Sequence, residues 1–233
     1  MSKIVMFGNQ KGGVGKSTLT SLCANALSQA PFQCKVLVLD ADPQQSVIKR
    51  RLDDIQGYEE VPPYKIEAMN IKGLQQDIAP LDKTYDYIFV DVAGKLDSNI
   101  PVEQQEVTKF LQYVDYLFVP FVPGNYSMQS SLDYLKTVLK VKKQREDRPR
   151  KLYISACINM FEQRTLDDRY LLEEIEELKT FVNISFMDNE LKRYALFRNT
   201  DTLVSFYDRD TSDKAKKNFT QWFDEFLKIV DHG

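Results

Sequence analysis

Hydrophobic positions follow two alternating rhythms along the chain. Short, almost unbroken apolar runs occur at Lys3–Gly8, Lys35–Asp40, Tyr87–Asp91, Tyr116–Phe121 and Leu152–Ile158. Each is too short for a helix and apolar on both faces, as a strand inside a covered parallel sheet is. Between them the spacing turns helical. Ser17–Ala30 repeats at Leu19, Leu22, Cys23, Ala26 and Leu27, and helices are expected at Met128–Lys143 and Asp167–Lys179. Near the end, Phe219, Trp222, Phe223, Phe226, Leu227 and Val230 form one helical stripe. The alternation predicts an α/β fold: a mostly parallel, twisted sheet with helices on both faces. Right-handed crossovers then gather the strand C-termini along one edge, where ligands bind in such folds. Gln56–Pro63 and Arg145–Arg150 read as surface loops, because alternation resumes after each. The whole of 1–233 is expected to be one domain.

Composition narrows the chemistry. The 233 residues are 43% hydrophobic and 28% charged, which excludes a disordered or fibrous chain. A net charge of −3 excludes a uniformly basic coat but leaves room for a local basic patch. Cys23, Cys34 and Cys157 contain no CxxC pair, so they support neither a zinc site nor an iron–sulfur cluster. They read as reduced thiols of a cytoplasmic protein. His232 is the one histidine. Proton and metal chemistry therefore falls to carboxylates, hydroxyls, lysines and backbone. The apolar part of the N-terminal segment is too short for a signal peptide, and no apolar run approaches the ~20 residues of a membrane span.

Three motifs lie at the expected strand ends. Lys11-Gly12-Gly13-Val14-Gly15-Lys16-Ser17-Thr18 follows the first strand and opens the first helix. Glycines let the backbone wrap phosphate closely, and the helix N-terminus adds a positive dipole. Lys16 then neutralises β- and γ-phosphates, and Ser17 offers a hydroxyl to Mg²⁺. The general GxxxxGK[ST] loop is not met, because Gln10 stands at its first glycine; the string is a KGGxGK[ST] variant. Asp40-Ala41-Asp42-Pro43-Gln44 ends the second strand. One carboxylate there can hold Mg²⁺ through water and the other can orient an attacking water. Asp42 before Pro43 is also a competent helix start. Tyr87–Asp91 ends in a carboxylate that suits Mg²⁺, and Gly94 makes the sequence D-x-x-G, able to turn an N–H toward a γ-phosphate.

These motifs, in this order, resemble the ParA/MinD group of deviant-Walker P-loop ATPases. Within it ParA is nearer: the DPQ sequence, Val119–Pro123, Ile158-Asn159-Met160-Phe161-Glu162-Gln163-Arg164-Thr165 and Val204–Asp208 resemble later ParA segments. The resemblance implies an ATP-sandwich homodimer in which Lys11 reaches the partner's nucleotide. It implies that Asp42 positions water, Asp91 holds Mg²⁺ and Asn159 touches adenine. It further implies a ParB-like activating partner, binding to non-specific DNA, and residence on the nucleoid in the ATP state. Two segments depart from the family pattern. Val92-Ala93-Gly94 stands where a proline-containing turn is usual, and Phe186–Arg193 stands in place of an IPR-type segment.

Charge leaves two further expectations. Lys192, Arg193 and Arg198 lie where the family's DNA residues would fall, and Lys136–Lys151 carries eight basic residues. The second stretch either tracks phosphates or is a solvated helix end. Residues 219–231 carry a net charge of −2, which anionic lipid repels, so the last helix is expected to pack in the core and not on a membrane. With its first strand directly at the N-terminus, the chain is not expected to read an operator sequence. A MinD-like membrane-positioning ATPase and a metabolic enzyme of the same fold are the competing readings.

Overall fold

All five apolar runs become strands of one sheet. The computed structural model describes residues 1–93 and 106–232. In chain order the elements are β1 (Lys3–Phe7), α1 (Lys16–Ser28), β2 (Val36–Asp40), α2 (Ser46–Asp54), β3 (Lys65–Ala68), α3 (Ile71–Thr84), β4 (Tyr87–Asp91), α4 (Glu106–Phe110), β5 (Tyr116–Phe121), α5 (Asn125–Gln144), β6 (Tyr153–Phe161), α6 (Leu166–Phe181), β7 (Ser185–Phe186), β8 (Leu191–Lys192), α7 (Ala195–Arg198) and α8 (Lys214–His232). The strands are ordered β3-β2-β4-β1-β5-β6-β7, with β8 paired to the far end of β6. Every pairing is parallel. The fold is the α/β arrangement expected from the alternation, a parallel sheet with helices on both faces.

Side-chain parity builds the two faces. Val5, Phe7, Val36, Val38, Phe89 and Phe118 point to one side, against Leu19, Leu22 and Leu27 of α1 and the aromatic stripe of α8. Ile4, Met6, Leu37, Leu39, Ile88, Val90 and Leu117 point to the other, against Leu74 of α3, Leu135 and Val138 of α5, and Leu171 and Ile175 of α6. The α8 stripe is buried but for Leu227, which is partly so: Phe219, Trp222, Phe223, Phe226 and Val230 have no exposed surface. The Phe226 ring lies 4.8 Å from that of Phe118 and 6.2 Å from that of Phe7. This helix is part of the core. Among the described residues no helix is long and apolar enough to cross a membrane.

The basic stretch 136–151 is partly structural. Arg145 is buried, and its guanidinium donates to the carbonyls of Leu111, Val114 and Arg150 at 2.6, 2.5 and 3.0 Å. Arg150 grips Asp115 and donates to Asp82 at 3.1 Å. These two arginines tie down the edge of the sheet remote from the strand C-termini. They are withdrawn from any phosphate-tracking face.

Candidate functional site

The β1–α1 loop lies at the middle of the sheet. β1 sits between β4 and β5, so chain connections diverge on either side of its C-terminus, the place where open α/β sheets bind ligands. Gly13 and Gly15 hold φ of +79° and +89°, a region hostile to side chains, and a Cβ on Gly12 or Gly13 would meet nothing within 4 Å among the described residues. The loop thus presents bare backbone to open space. Gly15 caps α1 without any side-chain hydrogen bond, and the first turn carries no acid. Its N–H groups remain for an anion.

The loop is braced from behind. Asn9 donates to Pro120 O at 2.9 Å and to Ser131 Oγ at 2.7 Å, while its own Oδ1 accepts from the Lys11 N–H at 3.0 Å. Asn159 at the end of β6 donates to the Val14 carbonyl at 2.9 Å. Val14 itself is fully buried. Lys16 is also buried, and its ammonium donates to the Lys11 carbonyl at 3.3 Å. Desolvation lowers the Lys16 pKa; the charges of Asp91 and Asp42 act in the opposite sense.

Three carboxylates flank the loop and do different work. Asp91 and Asp40 end adjacent strands at the same level of the register. Asp91 is fully buried and accepts from Ser17 Oγ at 2.7 Å, while its other oxygen, Oδ1, has no partner among the described residues. Burial pushes its pKa up to about 7, against the hydrogen bond from Ser17. An orphaned carboxylate oxygen beside a serine hydroxyl, next to an anion cradle, fits a hard cation such as Mg²⁺. Asp40 is more fully engaged: it accepts from the N–H groups of Asp42 at 3.2 Å and of Val47 and Ile48 at 3.1 Å each. It therefore fastens the start of α2. Burial raises its pKa too. Asp42 heads a turn, accepting from the Gln44 N–H at 2.8 Å. The helix begins at Ser46, so Asp42 is not its cap. Gly94 lies outside the described residues.

Beside the loop is a cavity of about 280 Å³, near the lower end of ligand pockets at about 300–1,000 Å³. Gly13, Thr18, Leu19, Leu22, Asn159 and Met160 form one side. The other is formed by Leu191 to Tyr194, Phe197 and Arg198. Apolar walls with a few polar groups suit a flat heterocycle. The three cations expected to meet DNA, Lys192, Arg193 and Arg198, thus line the cavity next to the phosphate loop.

A cradle, a cation position and a base-sized cavity in this order describe a nucleotide site, and residues 5–199 match the CbiA model, the CobQ/CobB/MinD/ParA nucleotide binding domain. The chain belongs to this family. An iron–sulfur cluster carrier protein of Rickettsia conorii is 30% identical over 135 residues. That match spans 57% of this chain and 40% of the relative's length. Among solved structures, a plasmid partition protein from Borrelia burgdorferi superposes with a TM-score of 0.65 at 20% identity, covering 97% of this chain and 98% of that one. The ParA of pNOB8, solved bound to non-specific DNA, superposes with a TM-score of 0.61 at 16% identity over 100% and 99% of the chains. This CobQ/CobB/MinD/ParA domain therefore has the ParA/MinD architecture.

Some working parts of the domain carry little sequence signal. Asn9 looks like a linker residue until its three hydrogen bonds are seen. Tyr194 and Phe197 join the cavity only because β8 pairs with the end of β6, from Asn159 to Phe161. That contact has no local pattern to announce it.

Proposed function

We propose that this chain is a magnesium-dependent ATPase of the ParA type, which pairs on ATP and holds DNA without reading its sequence. The observation that carries the reading is the Ser17–Asp91 pair, with one Asp91 oxygen unpartnered, beside Lys16 and an uncapped helix N-terminus. Ser17 and Asp91 would hold the ion, with Asp40 reaching it through water; the ion supplies charge neutralisation for the phosphates. Gly12 to Thr18 wrap the phosphates, and Lys16 balances charge on the β- and γ-groups. Gly94 would turn its N–H toward the γ-phosphate. Asn159 serves from behind, holding Val14 while its edge borders the base cavity. Asp42 orients a water whose oxygen attacks the γ-phosphorus. The bond to the bridging oxygen breaks, giving ADP and phosphate.

Lys11 acts across a homodimer, so that ATP joins two subunits and hydrolysis parts them. Lys192, Arg193 and Arg198 contribute to the DNA face. Doubling that face on pairing overcomes the −3 charge of each chain. An activating partner of the ParB kind raises a slow basal turnover, and the ATP form resides on the nucleoid of the cytoplasm. The likeness to an iron–sulfur carrier does not extend to a CxxC ligand pair: the sequence has none, and Cys23 and Cys157 are buried in the core.

Phosphate release from purified protein tests the enzyme. Turnover that needs Mg²⁺, vanishes in Lys16→Ala and falls at least tenfold in Asp42→Ala supports the reading. Equal turnover in all three proteins would sink it.

A further inference from the structure

The nucleotide cavity opens beside a second, larger concavity. This trough of about 890 Å³ is bordered by Arg164, Lys192, Arg193, Arg198 and Lys214, with Glu162 its one carboxylate. Lys192, Arg193, Tyr194 and Arg198 line both spaces. Its backbone is fixed: the Lys192 N–H donates to Asn218 Oδ1 at 2.8 Å and the Arg193 N–H to Phe161 O at 3.0 Å. Its side chains are held by their neighbours. Arg193 Nη1 donates to Glu162 Oε1 at 2.8 Å, in a pair about half exposed on each side, and Lys192 Nζ donates to Gln163 Oε1 at 3.4 Å.

We infer that this trough is the seat of a nucleic-acid phosphate backbone, that Arg164 and Lys214 complete it, and that Glu162 is a built-in competitor occupying Arg193 until phosphate displaces it. The inference rests on the DNA-binding reading above and adds to it the two outer cations and the competing carboxylate. Five cations around one carboxylate make a field that favours a polyanion. An exposed arginine–carboxylate pair is weak, so a phosphate replaces it at little cost. Guanidinium groups suit phosphate because their N–H fork matches two of its oxygens. The trough is open to solvent, which suits a strand running past it better than an enclosed small anion. The shared wall also links the two sites within one subunit. Asn159 holds the phosphate loop through Val14, and the same strand runs on to Phe161 and Glu162, which hold Arg193. Nucleotide in the cavity thus meets the residues that meet DNA.

Arg164 and Lys214 border the trough alone, so they test it without touching the nucleotide wall. The experiment is fluorescence anisotropy of a labelled duplex of arbitrary sequence across a salt series, with ATP and Mg²⁺ present. It uses wild type, Glu162→Gln and Arg164→Glu/Lys214→Glu, with nucleotide affinity and circular dichroism measured on each. Glu162→Gln should bind about two- to fivefold more tightly. Its log–log salt slope should steepen by about 0.9 per subunit, one more phosphate contact. The double reversal should weaken binding at least tenfold on any sequence. If wild type binds duplex and both variants match it, the trough is not the DNA face and the inference fails, while the DNA-binding reading stands. If wild type binds no duplex at low salt in any nucleotide state, the DNA-binding reading fails and takes the inference with it. If inorganic triphosphate at micromolar concentration displaces the duplex from wild type but not from the double reversal, a small polyphosphate is the occupant and the inference as stated is overturned.

Discussion

Burial determines how Asp91 behaves. Its carboxyl titrates near 7 in the fold and near 4 in an unfolded chain, so a proton favours the folded state. This contribution is fully present below about pH 4 and is lost as pH rises through 7. Three pKa units correspond to about 4 kcal/mol at most. Metal-free wild type should therefore lose stability between pH 4 and 7 relative to Asp91→Asn, whose side chain does not ionise. Urea denaturation of both proteins at several pH values measures this. Parallel curves would show that Asp91 ionises freely. Gly8 offers a second test. A Cβ there would lie 2.2 Å from Tyr134 Oη and 2.7 Å from Leu117 Cδ1. Gly8→Ala should cost about 1–3 kcal/mol by overpacking. The Tyr134 hydroxyl is buried with no partner among the described residues, so Tyr134→Phe alone should be nearly neutral. Adding it to Gly8→Ala should recover part of the loss, and a double variant no more stable than Gly8→Ala would place the crowding elsewhere.

Among elements, legibility in the sequence followed burial on two faces. Tyr87–Asp91 and Tyr116–Phe121 coincide with β4 and β5 to the residue, because central strands are apolar throughout. The edges were hard to read. β3 reads Lys-Ile-Glu-Ala and is nowhere fully buried, so it lacks an apolar run. α3 holds Gly73 and Pro80, both poor helix formers, and is started by Asn70 accepting from the Gly73 N–H at 2.9 Å. β7 and β8 have two residues each and exist only as partners of β6. At the site, the motif strings named the residues brought to one sheet edge but could not apportion Asp40 and Asp42. The spacing allowed a helix cap at Asp42, whereas the residue at the cap position is Gln45, which makes no side-chain hydrogen bond there, and the Asp40 carboxylate reaches forward from β2 to accept from the Val47 and Ile48 N–H groups. Asp40→Ala should loosen the start of α2 and cost about 1–2 kcal/mol. Hydrogen exchange at Val47 and Ile48 should rise with it; unchanged protection there would remove Asp40 from this role.

At the scale of the whole molecule, the described residues leave the site open on the side where the phosphates would lie. Gly12 and Gly13 are exposed, and among the described residues nothing stands within 4 Å of a Cβ built on either. Closure of the site in the proposed cycle comes from a second copy. The proposed cycle separates two lysines only five residues apart. In it Lys16 would serve its own nucleotide and Lys11 the partner's, while Asp42 would serve the water that ends the paired state. Molecular mass by light scattering in saturating ATP and Mg²⁺ tests this most directly. Asp42→Ala should remain at twice the chain mass of 27.1 kDa throughout, and Lys11→Ala should bind ATP yet stay at the single-chain mass. Equal masses for the two variants, whether both single or both double, would contradict the account.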